Sequence, residues 1–110
     1  MSTDATGDDR ALIERFLEMM AAEAGASANT IAAYGTDLRL ASTVLAGGLA
    51  DADRGRIETL AHEWRDLSRA TVARKSAALR RFFAFLADEG LRPDGPGGAL
   101  GRPGSGRGLP

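Results

Sequence analysis

The chain has 110 residues, a length typical of one domain with one modest core. It contains no cysteine, which excludes a disulfide framework and a thiolate metal site. Its opening residues are polar and acidic, without the basic start and apolar run of a signal peptide. No stretch approaches the roughly 20 apolar residues of a membrane span. We therefore expect a cytoplasmic protein that does not bind a membrane.

The formal net charge is −1, but the charges are unevenly distributed. Residues 1–67 are acidic on balance, whereas the segment from Ser68 to Ala87 carries five basic residues and no acidic one. Salt screens charges beyond about 8–10 Å, so a polyanion responds to a local patch more than to the total charge. The negative total therefore does not exclude nucleic-acid binding.

The spacing of apolar residues in the first half predicts two helices. The first runs from Asp9 to Ala24, and Gly25 ends it in the left-handed conformation that glycine adopts cheaply. The second begins after Ser27, whose side chain caps it. The core stripes of these helices are Ile13, Phe16, Leu17 and Met20 in the first, and Ile31, Tyr34, Leu38, Ala41 and Leu45 in the second.

The second half predicts two more helices, separated from the first pair by a Gly- and Asp-rich loop. Asp53 caps a third helix that runs to Leu67. Ser68 caps a fourth that reaches about Asp88 and stops at Gly90. Their inward residues are Ile57, Leu60, Ala61 and Trp64 in the third, and Val72, Leu79, Phe82, Phe83 and Leu86 in the fourth. No strand competes, so the sequence predicts an all-α bundle of four helices.

The C-terminal segment has a different composition. All four prolines and eight of the fourteen glycines lie between Gly90 and Pro110. Such a segment buries too little apolar surface to offset its ordering entropy. We predict a helical domain over residues 1–90 and an extended linker over 91–110, which leads toward a further domain beyond Pro110.

Residues suited to catalysis or metal binding are few. His62 is the only histidine, and a lone histidine on a helix is far more often a surface or packing residue than a ligand. Tyr34, the only tyrosine, lies on an apolar stripe, so packing is its expected role. No acid or histidine cluster has metal-ligand spacing. The sequence predicts no active site, no metal and no cofactor in this chain.

The fourth predicted helix carries the functional signal. At about 100° per residue, one face groups Ala70, Arg74, Ala77, Ala78 and Arg81. Small residues in the middle of the face let the helix approach another surface, and arginines at its ends reach phosphates or guanine edges. An ordinary surface helix mixes acids with bases for i,i+4 pairing. We therefore favour a DNA-facing helix, with Arg74 and Arg81 exposed and dispensable for folding.

Two segments resemble a known family. "NTIAAYGTDL" (Asn29 to Leu38) and "ARKSAALRRFFAFLADEG" (Ala73 to Gly90), with a tail that closes on "LP", resemble the N-terminal core-binding, SAM-like domain of tyrosine recombinases, the Xer type above all. The family's T-x-x-x-Y-x-x-D-L signature is matched by Thr30, Tyr34, Asp37 and Leu38. Its R-K-rich fourth helix is matched by Arg74, Lys75, Ala78, Leu79, Arg80, Phe82, Phe85 and Leu86. The opening segment looks closer to the XerD branch than to XerC.

The resemblance implies that the all-α fold is a four-helix orthogonal bundle. It also implies a non-catalytic DNA-binding domain whose second and fourth helices face the major groove of a recombination half-site. The catalytic domain, with its nucleophilic tyrosine, would follow Pro110. Expected partners of the complete protein are duplex DNA, partner recombinase subunits and a septal DNA translocase, with chromosome dimer resolution as the process. The residues expected to contact DNA are Thr30, Arg69, Arg74, Lys75, Ala77, Ala78, Arg80 and Arg81.

Four departures from the family pattern point to weaker DNA binding by this chain alone: Gly35 and Thr36 after the tyrosine, Ser76, Ala84, and a tail without a lysine after its second proline. Gly35 follows the tyrosine where the family often has a basic residue, which removes a possible phosphate contact and costs the helix about 1 kcal/mol relative to alanine. Two alternatives stay open. The chain could be a helical protein–protein interaction module without a role in DNA binding, or the same domain from a phage or mobile-element integrase. An electrophoretic mobility shift on duplex DNA at low salt distinguishes DNA binding from the first alternative. The sequence encoded after Pro110 distinguishes a Xer recombinase from the integrase of the second alternative.

Overall fold

The computed structural model describes residues 9–22 and 25–92. In these two ranges the chain forms four helices and no strand: α1 (Asp9–Ala22), α2 (Ala28–Val44), α3 (Arg54–Glu63) and α4 (Arg69–Asp88). The all-α, four-helix class predicted from the apolar spacing is confirmed. The last two residues of the first predicted helix and the predicted linker from residue 93 onward lie outside the described residues.

Local capping chemistry sets the helix boundaries. The predicted caps Ser27, Asp53 and Ser68 begin α2, α3 and α4, each accepting the backbone N–H three residues on, at 3.1, 2.9 and 3.1 Å. Gly25 precedes the first of these caps with φ +64°, and Gly90 follows the end of α4 with φ +74°. Both glycines take the left-handed conformation, which was predicted for Gly25, and Gly90 ends α4 as predicted.

The third helix is shorter than predicted. It ends at Glu63, and the chain then tightens into turns in which the Arg65 N–H bonds to His62 O and the Leu67 N–H bonds to Trp64 O. The reason is the short distance to the next cap, since Ser68 must already be extended to begin α4. Trp64 remains buried, as the sequence predicted, but it lies at the end of α3 rather than within it.

The core lies where α1, α2 and α4 meet. Each of these helices packs on the other two, with the most extensive packing between α1 and α2. Phe16 of α1 contacts Phe82 edge-on, with ring centroids 5.7 Å apart, and contacts Phe85 at 5.8 Å. Fully burying one such side chain contributes about 1.5–3 kcal/mol. The aromatic pairs therefore join the first helix to the last.

Gly35 allows α1 and α2 to pack closely. It is buried, and a Cβ atom added there would lie 3.1 Å from Leu17 Cδ1 and 3.0 Å from Arg39 Nη1. Position 35 therefore faces α1 rather than an external ligand. The expectation that a basic residue at this position would contact phosphate is wrong for this chain.

Two polar contacts fix the loop between α2 and α3. The buried carboxylate of Asp9, the first residue of α1, accepts the N–H groups of Leu49 and Ala50 at 2.9 and 3.0 Å. Arg92, just after α4, donates to the carbonyl oxygens of Ala50 and Ala52 at 2.7 and 2.9 Å. The loop is thus held by both ends of the helical body.

Candidate nucleic-acid interface

From Arg69 to Ala84 the exposed face of α4 consists of small and basic side chains, and the exposed acid Asp88 follows one turn later at the end of the helix. Positions along one side of the helix are exposed or half-buried, and a line of alanines is flanked by arginines on either edge. The face comprises Arg69, Ala70, Ala73, Arg74, Ala77, Arg80, Arg81 and Ala84. From Arg69 to Arg81 it extends about 18 Å along the axis. The major groove of B-DNA is roughly 12 Å wide and admits an α-helix. The short alanine side chains would let this face approach the groove, and its positive charge is complementary to the phosphates.

The face is rotated relative to the one predicted from sequence. Ala78 is fully buried and Lys75 is 8% exposed, so the expectation that Ala78 belongs to the outer face is wrong. Both residues lie one helical turn before core residues, Ala78 before Phe82 and Lys75 before Leu79, and so share their inward side. Ala73, which the prediction omitted, is exposed. Alanine is common on both sides of a helix, so its position in the sequence does not reveal its burial. Ala78 and Lys75 therefore present little or no surface for the direct DNA contact predicted for them, whereas contact of DNA with the other residues of the predicted set stays a prediction.

Arg74 is held by a buried acid on α2. Its Nε and Nη2 atoms donate to the two carboxylate oxygens of Asp37 at 2.8 and 2.9 Å. Lys75 Nζ donates to the same carboxylate at 3.1 Å and lies 5.8 Å from the centre of the Trp64 ring. The Asp37 side chain is only 2% exposed, whereas that of Arg74 is 47% exposed. One buried acid therefore joins a core lysine to a surface arginine.

The charges of this cluster are mutually stabilised. Burial raises the pKa of Asp37, but the hydrogen bonds and positive charges of Arg74 and Lys75 outweigh it, so that pKa lies below its usual value. The hydrogen bond and the charge of Asp37 raise the pKa of Arg74. Asp37 is therefore ionised near neutral pH. Since two cations meet one anion, the cluster carries one net positive charge, and the exposed member is Arg74.

Sequence reasoning assigned Asp37 only a place in a family signature and missed its contacts. The signal was present, because Asp37 lies three residues after Tyr34 and four before Ala41, both buried. An acid at a core position is usually paired with a cation, and α4 offers two adjacent basic pairs, Arg74–Lys75 and Arg80–Arg81. Pairing across two helices cannot be read from spacing alone, however.

The remaining candidates have local roles. The Thr30 hydroxyl accepts from Ser27 Oγ at 3.0 Å within the cap of α2, so its contact with DNA stays a prediction. His62 is exposed on α3 and lies 2.8 Å from Arg65, consistent with a surface histidine. Within residues 9–22 and 25–92, Arg69, Arg80 and Arg81 form no ion pair. These three arginines are available to an external anion.

The described part of the chain offers neither a cluster of metal ligands nor a membrane-spanning helix. No three acidic, histidine or cysteine side chains there come together as metal ligands would. None of the four helices is both long and apolar enough to cross a membrane.

Comparison with known proteins identifies the fold. Residues 13–90 match the model of the phage integrase N-terminal SAM-like domain. The chain belongs to this family. The match covers α2 and α4 with the Asp37–Arg74 pair, and most of α1, so the predicted resemblance is confirmed. No solved structure matches the chain.

Xer recombinases are among the curated proteins similar to this chain. The chain is 57% identical over 100 residues to the tyrosine recombinase XerC of Erythrobacter litoralis, covering 91% of this chain and 32% of that protein. It is 43% identical to the tyrosine recombinase XerD of Brucella suis, covering 89% of this chain and 33% of that protein. It is also 43% identical to the tyrosine recombinase XerD of Caulobacter vibrioides, covering 88% of this chain and 33% of that protein. This domain therefore spans about a third of the length of these relatives. Both branches are represented, and the assignment to XerD stays a prediction.

Proposed function

We propose that this chain is the DNA-binding N-terminal domain of a Xer-type tyrosine recombinase and that it closes over one side of a recombination half-site. The observation that carries the proposal is the outer face of α4, where four arginines flank a line of alanines and no acid occurs from Arg69 to Ala87. Membership of the integrase N-terminal family supports the same function.

The charge on this face sets the expected strength of the electrostatic interaction. Lys75 is buried against Asp37 and is not counted, which leaves Arg69, Arg74, Arg80 and Arg81. If each neutralises one phosphate, the logarithm of the binding constant falls with the logarithm of salt concentration with a slope of about −3.6. Binding by the domain alone is therefore weak at physiological salt and depends little on sequence.

Fluorescence anisotropy on a labelled duplex over a salt series tests the proposal. Arg81→Gln removes one positive charge from the face, and Arg54→Gln removes one from the exposed surface of α3 as a matched control. We expect Arg81→Gln to reduce the slope by about 0.9 and Arg54→Gln to leave it unchanged. Equal effects of the two variants, or binding that ignores salt, would contradict a DNA-facing α4.

For the complete protein we extend the proposal to the activity in its relatives' names. Strand cleavage would belong to the two thirds of their length that this chain does not span, and the domain would act beside partner recombinase subunits. Chromosome dimer resolution, a septal DNA translocase as partner and a cytoplasmic location belong to the same proposal. Recombination of a plasmid carrying two sites, with and without these arginines, measures the contribution of the domain to the complete reaction.

A second candidate function, contact with another protein, is favoured by one feature of α2. Leu40 and Val44 lie one turn apart on its outer side and are 52% and 43% exposed. If the chain fails to bind duplex DNA at low salt, this pair becomes the first surface to test for a protein partner. The phage or mobile-element integrase alternative predicts the same DNA binding and differs only in the target site.

A further inference from the structure

The buried acid Asp37 lies beneath a basic face, although a negative charge there weakens the attraction of that face for an anion. It is an acidic residue directly beneath the edge of a face proposed to bind a polyanion, where its charge opposes binding. Its bidentate bond occupies Nε and Nη2 of Arg74 and leaves the Nη1 amino group outside the pair. Because nearly half of the Arg74 side chain is exposed, an external anion can approach the guanidinium while the ion pair stays intact.

We propose that Asp37 is a positioning residue that holds the Arg74 guanidinium in the orientation in which it binds a phosphate of duplex DNA. The inference rests on the proposed DNA-binding function and adds a role for a buried acid that touches no DNA. Lys75 is the second cation that contacts Asp37. Its Nζ lies against Asp37 and its side chain is 10% exposed, so its charge offsets that of Asp37 rather than reaching the surface.

The gain in affinity comes from fixing the arginine before DNA arrives. A free arginine samples many rotamers and loses this freedom on binding, whereas a planar guanidinium already held by two bonds loses much less. The typical cost of immobilising one such side chain corresponds to roughly a twofold to tenfold change in affinity. The phosphate, rather than a base edge, is the assigned target because the guanidinium is held at the edge of the face beside α2 rather than along its line of alanines.

Neutralising Asp37 gives a test in which two explanations predict opposite signs. Asp37→Asn removes a negative charge, so electrostatics alone predicts tighter DNA binding. Positioning predicts binding weaker by roughly twofold to tenfold and a salt slope shallower by up to about 0.9. Glu58→Gln removes the same charge from the exposed surface of α3, eleven residues before α4 begins, and should bind DNA as tightly as the unmodified chain or slightly more tightly.

Two further variants separate positioning from a purely structural role. Arg74→Lys keeps the positive charge but cannot make the bidentate bond, so we expect a loss like that of Asp37→Asn, and this variant retains a partner for the buried acid. In the Arg74→Gln background, Asp37→Asn should cause no additional loss. Thermal unfolding of every variant confirms that each is folded at the temperature of the binding assay.

Each outcome decides the inference. Unchanged or tighter binding by Asp37→Asn, or an unchanged affinity of both Arg74→Lys and Arg74→Gln, would overturn the positioning role while Arg81→Gln still reported DNA binding. A loss seen with one duplex sequence and not with another would overturn the assignment to phosphate. Failure of the unmodified chain to bind any duplex would remove the proposed function itself, together with the inference.

Discussion

At the scale of single residues, Asp9 shows how one carboxylate can fix a connection. It lies at the start of α1 yet binds the loop between α2 and α3, and it also accepts a hydrogen bond from the Ser42 hydroxyl. The two backbone N–H groups that donate to this carboxylate belong to buried residues, Leu49 and Ala50. A buried donor without an acceptor keeps its full desolvation penalty.

Removal of this carboxylate should therefore be costly. We expect Asp9→Ala to lower the free energy of unfolding by about 2–4 kcal/mol, because two buried N–H groups lose their acceptor. Ser42→Ala deletes a single hydrogen bond and should cost about 1 kcal/mol. Urea unfolding followed by circular dichroism measures both changes. Equal, small losses would mean that the loop finds other acceptors.

Tyr34 is expected to stabilise the fold and to take no part in chemistry. The residue is 9% exposed and belongs to the hydrophobic core. We expect Tyr34→Ala to cost about 3–5 kcal/mol, as emptying a core aromatic site does, and Tyr34→Phe to cost at most about 1–2 kcal/mol. A nicked suicide duplex tests the chemistry. A covalent DNA adduct on this chain that disappears in Tyr34→Phe would show that Tyr34 is a nucleophile.

At the scale of elements, the contact between α2 and α4 combines packing with charge. The helices meet through apolar side chains and through Asp37, which receives hydrogen bonds from Arg74 and Lys75. A buried ion pair stabilises a fold only modestly, but loss of one partner is costly because the other charge stays buried. The contact should therefore respond to acid and to substitution of either partner.

The response to acid follows from the low pKa of Asp37. Because the folded-state pKa lies below the unfolded value of about 3.9, the unfolded chain binds more protons as the solution becomes acidic. The contribution of the carboxylate is fully present above the unfolded pKa and is lost as pH falls through the folded pKa. We expect Asp37→Asn to be less stable than the unmodified chain near neutral pH and the difference to shrink below about pH 4. Unfolding at several pH values measures it, and a constant difference would contradict the assignment.

Substitutions of Arg74 and Arg81 should differ in their effect on stability. Arg74→Ala leaves the buried Asp37 with Lys75 alone, and we expect a loss of about 1–3 kcal/mol. Arg81→Ala alters an exposed position and should change stability by less than about 0.5 kcal/mol. The sequence-based expectation that both are dispensable for folding is thus retained only for Arg81. Thermal melts of the two single variants are sufficient, and equal melting temperatures would show that Arg74 is not required by the core.

At the scale of the whole molecule, two residues beyond the predicted domain boundary contact the helical body. The Leu91 N–H bonds to Leu86 O at 2.8 Å, and the Arg92 guanidinium lies 5.0 Å from the centre of the Phe83 ring while binding the α2–α3 loop. These two residues belong by their contacts to the helical body, although the sequence assigned them to the linker. The linker prediction for residues 93–110 remains a prediction.

Two truncations locate this boundary. A chain that ends at Arg92 should unfold with the same free energy as the full chain. A chain that ends at Gly90 loses the contacts of Leu91 and Arg92 and should be less stable by about 1–3 kcal/mol. If the longer truncated chain is also destabilised, residues beyond 92 contribute to the fold and the linker prediction is wrong.

Much of this fold was determined by the sequence alone, because the signals involved are local. Caps such as Ser27 and Ser68 satisfy N–H groups three residues away, and glycines such as Gly90 end helices through their own backbone conformation. The apolar spacing likewise identified most of the core, and the charge count identified α4 as the candidate interface. Each of these properties depends on neighbours within one or two helical turns.

Only the tertiary structure decided which polar and small residues face inward. Asp37, Lys75 and Ala78 are buried because of what α2, α3 and α4 place against them, and a sequence records none of those contacts. The same holds for Gly35, whose buried position is explained by Leu17 on the neighbouring helix. Burial of a small or charged side chain depends on partners distant along the chain, whereas a large apolar side chain is driven inward by its own transfer free energy.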